Sequence, residues 1–151
     1  METQKHYAPR HKTAEKKGKM NNLNVMILEG NCVREPELRE TPKGTPVCNL
    51  SVATDRYYKM GENFEKEVSY FNVEIWGKMA IVASQNCPKG RGVRVSGRLK
   101  QGRWTGTDGS KHSKVTIVAD KVELKPLFNR SGEKIKKQLV VNGEAEETPV
   151  F

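Results

Sequence analysis

Apolar residues recur at every second position along several stretches of this chain, a period typical of β-strands that bury one face. The clearest stretch is 68–78, where β-branched and aromatic residues dominate and the apolar run ends at Gly77. One side of this strand is wholly apolar and should face a core; it consists of Phe71, Val73 and Ile75. The other side mixes two large aromatic rings with polar groups; it consists of Tyr70, Asn72, Glu74 and Trp76. We expect these two rings either to form a platform for a planar molecule or to pack beneath a loop.

The same criteria predict further strands along the chain. The five main strands cover residues 24–31, 47–58, 68–78, 93–104 and 111–124. An exposed strand is expected at 37–41, a polar loop at 59–67 and a hairpin turn at 107–110.

One helix of about two turns is predicted over residues 78–86, since the apolar period changes there and Pro88 follows. Glycines late in strands, such as Gly30 and Gly97, allow the sharp bends that a small barrel needs. This arrangement favours an all-β fold, a closed five-stranded barrel of the OB type with its helix between the third and fourth strands. A β-sandwich with a stray helix is the structural alternative.

The two ends of the chain differ from its middle. Residues 1–20 are basic with almost no apolar side chains, so we expect a disordered arm. Either Met1 or Met20 could be the natural start. Residues 21–125 form the predicted folded domain. Residues 126–151 are polar and charged, and we expect a flexible tail with one short helix around Ile135 and Leu139.

Composition narrows the class of partner. The 151 residues carry 27 Lys and Arg against 18 Asp and Glu, and the net charge of +9 favours polyanions. No apolar run approaches the roughly 18 residues of a membrane span, and no signal-peptide core is present, so we expect a cytoplasmic protein. The three cysteines form no C-x-x-C and the three histidines are scattered. We therefore expect reduced, half-buried cysteines, no metal site and no cofactor.

We find no motif that predicts catalysis. Residues 131–134 match S-x-x-K, but they lie in the tail and have no second motif. The glycines at 89–92 lack the G-x-x-x-x-G-K-[ST] pattern of a phosphate loop. We therefore do not expect an enzyme.

Further rings stand at the ends of strands that the barrel places near the third strand; they are Tyr57, Tyr58 and Trp104. Basic residues accompany the rings; they are Arg56, Lys59, Lys78, Arg98, Lys100 and Arg103. Rings stack on bases and cations neutralise phosphates, so the combination predicts binding of single-stranded nucleic acid without sequence readout. A solvated basic face with a few packing aromatics is the simpler alternative.

Several short segments follow one another between residues 24 and 124. They are 27–31 (ILEGN), 34–39 (REPELR), 41–45 (TPKGT), 50–54 (LSVAT), 76–80 (WGKMA), 89–90 (KG), 95–99 (VSGRL) and Trp104. Their order and spacing resemble the bacterial and mitochondrial single-stranded-DNA-binding proteins. The resemblance implies an OB-fold homotetramer, cytoplasmic and associated with the bacterial nucleoid, that protects single-stranded DNA in replication, recombination and repair.

The resemblance also implies roles for individual residues. The family uses four stacking rings, which by position fall on Tyr58, Tyr70, Trp76 and Trp104. It uses an acidic, apolar C-terminal tip to recruit replication and repair proteins. In this chain the tip corresponds to Glu146, Glu147, Pro149, Val150 and Phe151.

Three features depart from the family pattern. Phe71 stands where bacterial members often have a polar residue or His near a subunit contact. Basic residues precede the folded part. The tip has Glu instead of an Asp cluster, and its proline lies one residue further from the terminal Phe. Two other classes stay open: an RNA-binding or primosome-type OB module, which matched RNA and DNA strands would reveal, and a nucleic-acid enzyme, which turnover of labelled DNA would reveal.

Overall fold

The structure is a computed structural model and describes residues 20–128, 134–135, 139–141 and 145–147. Six strands and one helix make up its main part; they are β1 (Met26–Cys32), β2 (Glu37–Glu40), β3 (Pro46–Met60), β4 (Asn63–Trp76), α1 (Lys78–Asn86), β5 (Gly92–Thr105) and β6 (Lys111–Leu124). Four short strands follow; they are β7 (Leu127–Phe128), β8 (Lys134–Ile135), β9 (Leu139–Val141) and β10 (Ala145–Glu147).

Five of these strands close into a barrel, as the sequence predicted. β1 pairs with β3 and with β5, β3 pairs with β4, and β5 pairs with β6, all antiparallel. A short parallel pairing of β4 with β6 closes the ring, with Val73 next to Ile117 and Glu74 next to Val118. The helix lies between the third and fourth barrel strands, and its observed bounds are those predicted. This is the OB architecture.

The core is built from the alternating apolar residues of these strands. Val73 and Ile75 of β4 are fully buried, and they pack with residues of β3, β5 and β6 such as Leu50, Val95 and Val122. Phe71 lies on the same side of β4 but is 39% exposed in the single chain. The predicted core side is therefore confirmed for Val73 and Ile75, whereas Phe71 lies where β4 leaves the core.

The polar loop predicted over residues 59–67 is wrong. β3 continues to Met60 and β4 begins at Asn63, so the hairpin closes over Gly61 and Glu62. Gly61 has a φ of 65°, the sign that tight hairpin turns require. Polar residues fill this segment because both faces of the hairpin leave the barrel and meet water.

One expectation for the tail is wrong among the described residues. Ile135 and Leu139, around which a short helix was expected, belong to strands. β9 pairs with β6, placing Val141 opposite Val122 and Val140 opposite Glu123, and β10 pairs with β9. Apart from Met20, the predicted disordered arm over residues 1–20 lies outside the described residues.

All three cysteines are free and buried, more deeply than the half-burial expected. Burial raises the pKa of Cys48 to about 11, so this thiol stays protonated at neutral pH. Among the described residues, no helix is long and apolar enough to cross a membrane.

A bulge in β6 lets the barrel close. Ser96 pairs with Lys121 and Gly97 with Ala119, so the extra residue is Asp120 of β6, next to the bend that Gly97 had suggested in β5. A Cβ atom on Gly97 would overlap the carbonyl oxygen of Val118, so only glycine fits without backbone movement.

Replacing Gly97 with Ala should therefore destabilise the protein by roughly 1–3 kcal/mol, the usual cost of overpacking. Gly102, five residues further along β5, is the matched control, because its nearest contact for a Cβ is the carbonyl oxygen of Lys114 at 3.9 Å. Gly102→Ala should change stability by less than about 0.5 kcal/mol. Urea unfolding of both variants measures the difference, and equal stabilities would contradict this account of the bulge.

Candidate nucleic-acid interface

The outward side of the barrel begins with the even-numbered residues of β4. Val73 and Ile75 point into the core, so Tyr70, Glu74 and Trp76 point away from it. The pairing with β3 places Ala53 opposite Tyr70 and continues this side onto the odd-numbered residues of β3. We call the surface formed by these residues and their neighbours on other strands the outer face.

The outer face continues across β6 onto β5. Glu74 lies next to Val118 in the parallel pairing, and Val118 lies opposite Arg98. The even-numbered residues of β5 from Arg98 onward therefore share this face, and they include Lys100 and Trp104. The Lys100 ammonium lies 4.0 Å from Glu74 Oε2 and 5.9 Å from the centre of the Trp76 ring. Residues from two distant strands thus meet around Trp76.

A polar groove of about 270 Å³ crosses the outer face. Its lining residues come from β2, β3, β4 and β6 and from the turn before β2; they are Arg34, Glu37, Arg39, Asn49, Asn72, Glu74, Lys114 and Thr116. Three of the eight are basic and two are acidic, so the groove has a small positive excess. Amides, a hydroxyl and guanidinium groups can all donate hydrogen bonds to phosphate or base oxygens.

Trp104 lies at the far end of the outer face, on the β5–β6 hairpin. Its ring stacks on His112 with centroids 5.5 Å apart and planes 21° from parallel. A cavity of about 440 Å³ adjoins the pair, and Arg103 and Lys111 also line it. Trp104 is 52% exposed, so its other ring face can receive a planar group.

Residues of the β5–β6 turn hold His112 in place beside Trp104. His112 Nε2 lies 2.7 Å from the Ser110 hydroxyl, and that hydroxyl lies 2.5 Å from Asp108 Oδ1. Hydrogen bonds from the Ser110 side chain and backbone lower the pKa of the Asp108 carboxyl. The carboxylate contacts the hydroxyl rather than the imidazole, so it does not orient His112 as the base of a catalytic triad would require. The arrangement therefore fixes a stacking surface.

Tyr58 does not lie on the outer face. The pairing of β3 with β4 places it opposite Glu65, on the side of the hairpin that continues from the core residues. The Arg56 guanidinium lies 5.6 Å from the Tyr58 ring centre and 3.5 Å from Glu67 Oε2. Of the four rings implied by the family resemblance, the structure brings three to the outer face and leaves this one on the other side.

The predicted basic residues divide in the same way. Lys59, Arg98 and Lys100 lie on the outer face by their register. Arg103 lies on the opposite side of β5 from Trp104, and its guanidinium donates a hydrogen bond of 3.0 Å to the Gln101 side chain. Lys78 is the exposed first residue of α1, two positions after Trp76.

The sequence reasoning missed three outer-face residues. They are His112, Phe64 and Lys66. The Lys66 ammonium lies 5.7 Å from the Tyr57 ring centre and 3.1 Å from Asp55 Oδ2, a hydrogen bond that raises the pKa of this lysine. The sequence predicted a loop where Phe64 and Lys66 lie, and it gave no cross-strand partner for His112. Only the pairing register places these residues on the outer face.

The predicted partner-binding tip is described only in part. Glu146 and Glu147 belong to β10, opposite Val140 and Leu139 of β9. Pro149, Val150 and Phe151 lie outside the described residues.

Comparison with known proteins identifies the family to which this geometry belongs. A sequence profile of the Single-strand binding protein family matches residues 23–125. The chain belongs to this family. The resemblance stated from the short segments is thereby confirmed.

Individual relatives carry the name of the family. A single-stranded DNA-binding protein of Treponema pallidum (strain Nichols) is 39% identical over 105 residues, which cover 70% of this chain and 59% of the relative. The Aquifex aeolicus (strain VF5) protein of the same name is 38% identical over 103 residues, 68% of this chain and 69% of the relative. The match to the Treponema pallidum protein thus spans less than two thirds of that relative's length.

A solved structure shares the fold. The chain titled "Plasmodium falciparum SSB complex with ssDNA" superposes with a TM-score of 0.62 over 71% of this chain and 96% of the other, at 21% identity. At that identity the likeness supports the OB architecture and nothing finer.

Proposed function

We propose that this protein binds single-stranded DNA without sequence preference. The proposal rests on the outer face, where Tyr70 and Trp76 of β4 and Trp104 of β5 are exposed. Two cations of β5, Arg98 and Lys100, share this face. Membership of the Single-strand binding protein family and the names of the relatives support it. Each ring offers a π-face to any base, so affinity would not depend on sequence.

The rings and the cations contribute to binding in different ways. Stacking on an exposed ring contributes roughly 1–3 kcal/mol per base. The cations Arg98, Lys100 and Lys59 neutralise phosphates and release counterions, which makes affinity depend on salt. Tyr58, Arg56, Lys78 and Arg103 remain candidates from the family resemblance, although a strand must leave the outer face to reach Tyr58, Arg56 or Arg103.

The proposed role requires neither catalysis nor a cofactor. Within the described residues no cluster of three or more potential metal ligands occurs. DNA rather than RNA is favoured by the relatives' names, and matched RNA and DNA strands would test that preference directly.

We further propose a homotetramer, cytoplasmic and nucleoid-associated, that acts in replication, recombination and repair. Val25 and Ile27 near the start of the barrel and Phe71 beside the core are exposed in the single chain, and subunit contacts would cover them. The proposed division is a basic arm (1–20), a DNA-binding domain (21–125) and a tail (126–151) ending in a recruiting tip. The family match over residues 23–125 supports the proposed bounds of the DNA-binding domain.

Titration with poly(dT) tests the proposed function. Trp76 and Trp104 are the chain's two tryptophans, and both lie on the outer face, so bound bases should quench tryptophan fluorescence at saturation. The apparent affinity should fall steeply as salt rises. Equal affinity for duplex and single strand, or unchanged fluorescence at saturation, would falsify the proposal.

Alanine variants of the outer-face rings test the roles of individual side chains. Trp76→Ala and Trp104→Ala should each weaken binding by roughly 1–3 kcal/mol with little change in melting temperature, because the rings are exposed. Phe71→Ala is the control from the opposite side of β4, and it should lower stability or assembly instead of DNA affinity. The reverse pattern in titrations and thermal melts would mean that the faces of β4 are assigned the wrong way round.

Deleting residues 144–151 tests the tip. The truncated protein should keep its tetrameric mass in analytical ultracentrifugation and its affinity for poly(dT), but it should lose capture of repair helicases and exonucleases. A terminal apolar residue with flanking carboxylates fits a small apolar pocket rimmed by basic residues. If the truncated protein still captures those partners, the recruiting element lies elsewhere, and the basic segment 130–137 is the next candidate. A monomeric mass for the full chain would contradict the tetramer.

A further inference from the structure

We propose that Tyr57 and Phe64, on the outer side of the β3–β4 hairpin, extend the base-stacking surface beyond Tyr70, and that the strand passes along them instead of along Tyr58. The inference rests on the proposed binding of single-stranded DNA. The family pattern implies a stacking ring on this arm at Tyr58, and the inference is that DNA follows the other side of the same arm.

The pairing of β3 with β4 is unbroken along the whole hairpin. All 14 residues of β4 pair with β3, from Val47 opposite Trp76 to Met60 opposite Asn63, and no register shift interrupts the pairing. Side chains directly opposite each other lie on the same side of an antiparallel pair. Tyr57 opposite Lys66 therefore shares the side of Tyr70, whereas Tyr58 opposite Glu65 lies on the other side.

Two rings and two lysines lie together on the outer side of the hairpin. Lys59 lies opposite Phe64, and Tyr57 lies opposite Lys66, so two rings and two lysines occupy alternate corners of one patch. Tyr57 and Phe64 are diagonal neighbours, about 7–8 Å apart and within contact reach of large side chains. Tyr57 is 66% exposed and Phe64 is 75% exposed, whereas Tyr58 is 38% exposed. Two exposed rings beside two cations form the pattern that single strands bind.

Charge separates the two sides of the hairpin. The outer side holds Lys59 and Lys66 against Asp55, whereas the other side holds Arg56 against Glu65 and Glu67. The outer side thus has one excess positive charge and the other side one excess negative charge. A phosphate backbone would be attracted to the first side and repelled from the second.

Existing contacts on the outer side leave room for phosphate. Lys66 pairs with Asp55 at 3.1 Å, but both side chains are about half exposed to solvent. Such exposed pairs contribute little to stability, so a phosphate can replace the carboxylate at small cost. The Arg56–Glu67 pair on the other side is at least as exposed, so the two sides differ through the second carboxylate there, Glu65, and not through this pair.

Spacing along the strands makes the surface continuous. Tyr57 is four residues beyond Ala53, the partner of Tyr70, which corresponds to about 13 Å along the hairpin. Trp76 and Tyr70 are six residues apart on β4, about 20 Å. The added rings therefore continue the row at an interval no longer than the one already present.

Alanine variants of adjacent residues provide the test. Tyr57→Ala, Phe64→Ala and Tyr58→Ala are each titrated with poly(dT) in the full chain, by fluorescence at one fixed salt concentration. Tyr58→Ala discriminates between the two paths, because it removes the same side chain one residue away on the opposite side, the ring that the family resemblance implies. We expect about tenfold weaker binding for Tyr57→Ala and for Phe64→Ala, and less than about twofold change for Tyr58→Ala.

Two results would overturn the inference. One is a loss for Tyr58→Ala as large as that for Tyr57→Ala, and the other is unchanged binding for both Tyr57→Ala and Phe64→Ala. Trp76→Ala measured alongside separates this inference from the proposed function. If Trp76→Ala weakens binding while the hairpin variants do not, the protein binds single strands but along a path that avoids this arm.

Photocrosslinking gives an independent readout that does not depend on affinity. A single strand containing 5-iodouracil is irradiated in complex with the unmodified protein, and the attached peptide is sequenced by mass spectrometry. Attachment at Tyr57 or Phe64 supports the outer path. Attachment at Tyr58 without either of them would overturn it.

Discussion

The uninterrupted antiparallel pairing of β3 with β4 is the constraint on which the rest of the molecule depends. One side of this ribbon supplies core residues such as Leu50 and Val73, which are fully buried between the strands and α1. The other side supplies Tyr70 and Trp76 to the solvent. Because side chains alternate strictly along a strand, a one-residue slip would exchange the two sets, burying the rings' polar neighbours and exposing the core. Burial of the apolar side therefore holds the outer face in its arrangement.

Barrel closure joins this ribbon to the second long hairpin. The parallel contact of Val73 with Ile117 is short, and the bulge at Asp120, next to Gly97, lets β5 and β6 bend around to make it. Lys100 and Trp104 lie on the outward side of β5, which brings a cation to within 5.9 Å of the Trp76 ring centre. Residues more than twenty positions apart thus form one surface. Because the extra residue, Asp120, lies in β6, the alternation along β5 is unbroken and keeps Lys100 and Trp104 on one side.

Charge in this protein is informative only when it is assigned to faces. The net charge of +9 suggests polyanions in general. The hairpin shows why the total is insufficient, since its two sides carry opposite excess charges although the residues alternate along the same strands. Carboxylates such as Glu67 and Glu74 each lie beside a cation on their own side, which confines the unpaired positive charge to particular rows. A polyanion would follow those rows.

Local patterns in the sequence determined the elements of the fold and the type of chemistry. Alternation predicted the barrel strands and the core side of β4, the change of period predicted α1 with its observed bounds, and Gly97 predicted a bend in β5, because each signal depends on neighbouring residues. Rings interleaved with cations indicated stacking and phosphate contacts for the same reason. The tertiary structure alone decided the length of the β3–β4 hairpin, the strand pairing of Ile135 and Leu139, and the stack of His112 on Trp104. It alone separated Tyr57 from Tyr58, because the sharing of a face depends on the pairing register, which a single chain of letters does not contain.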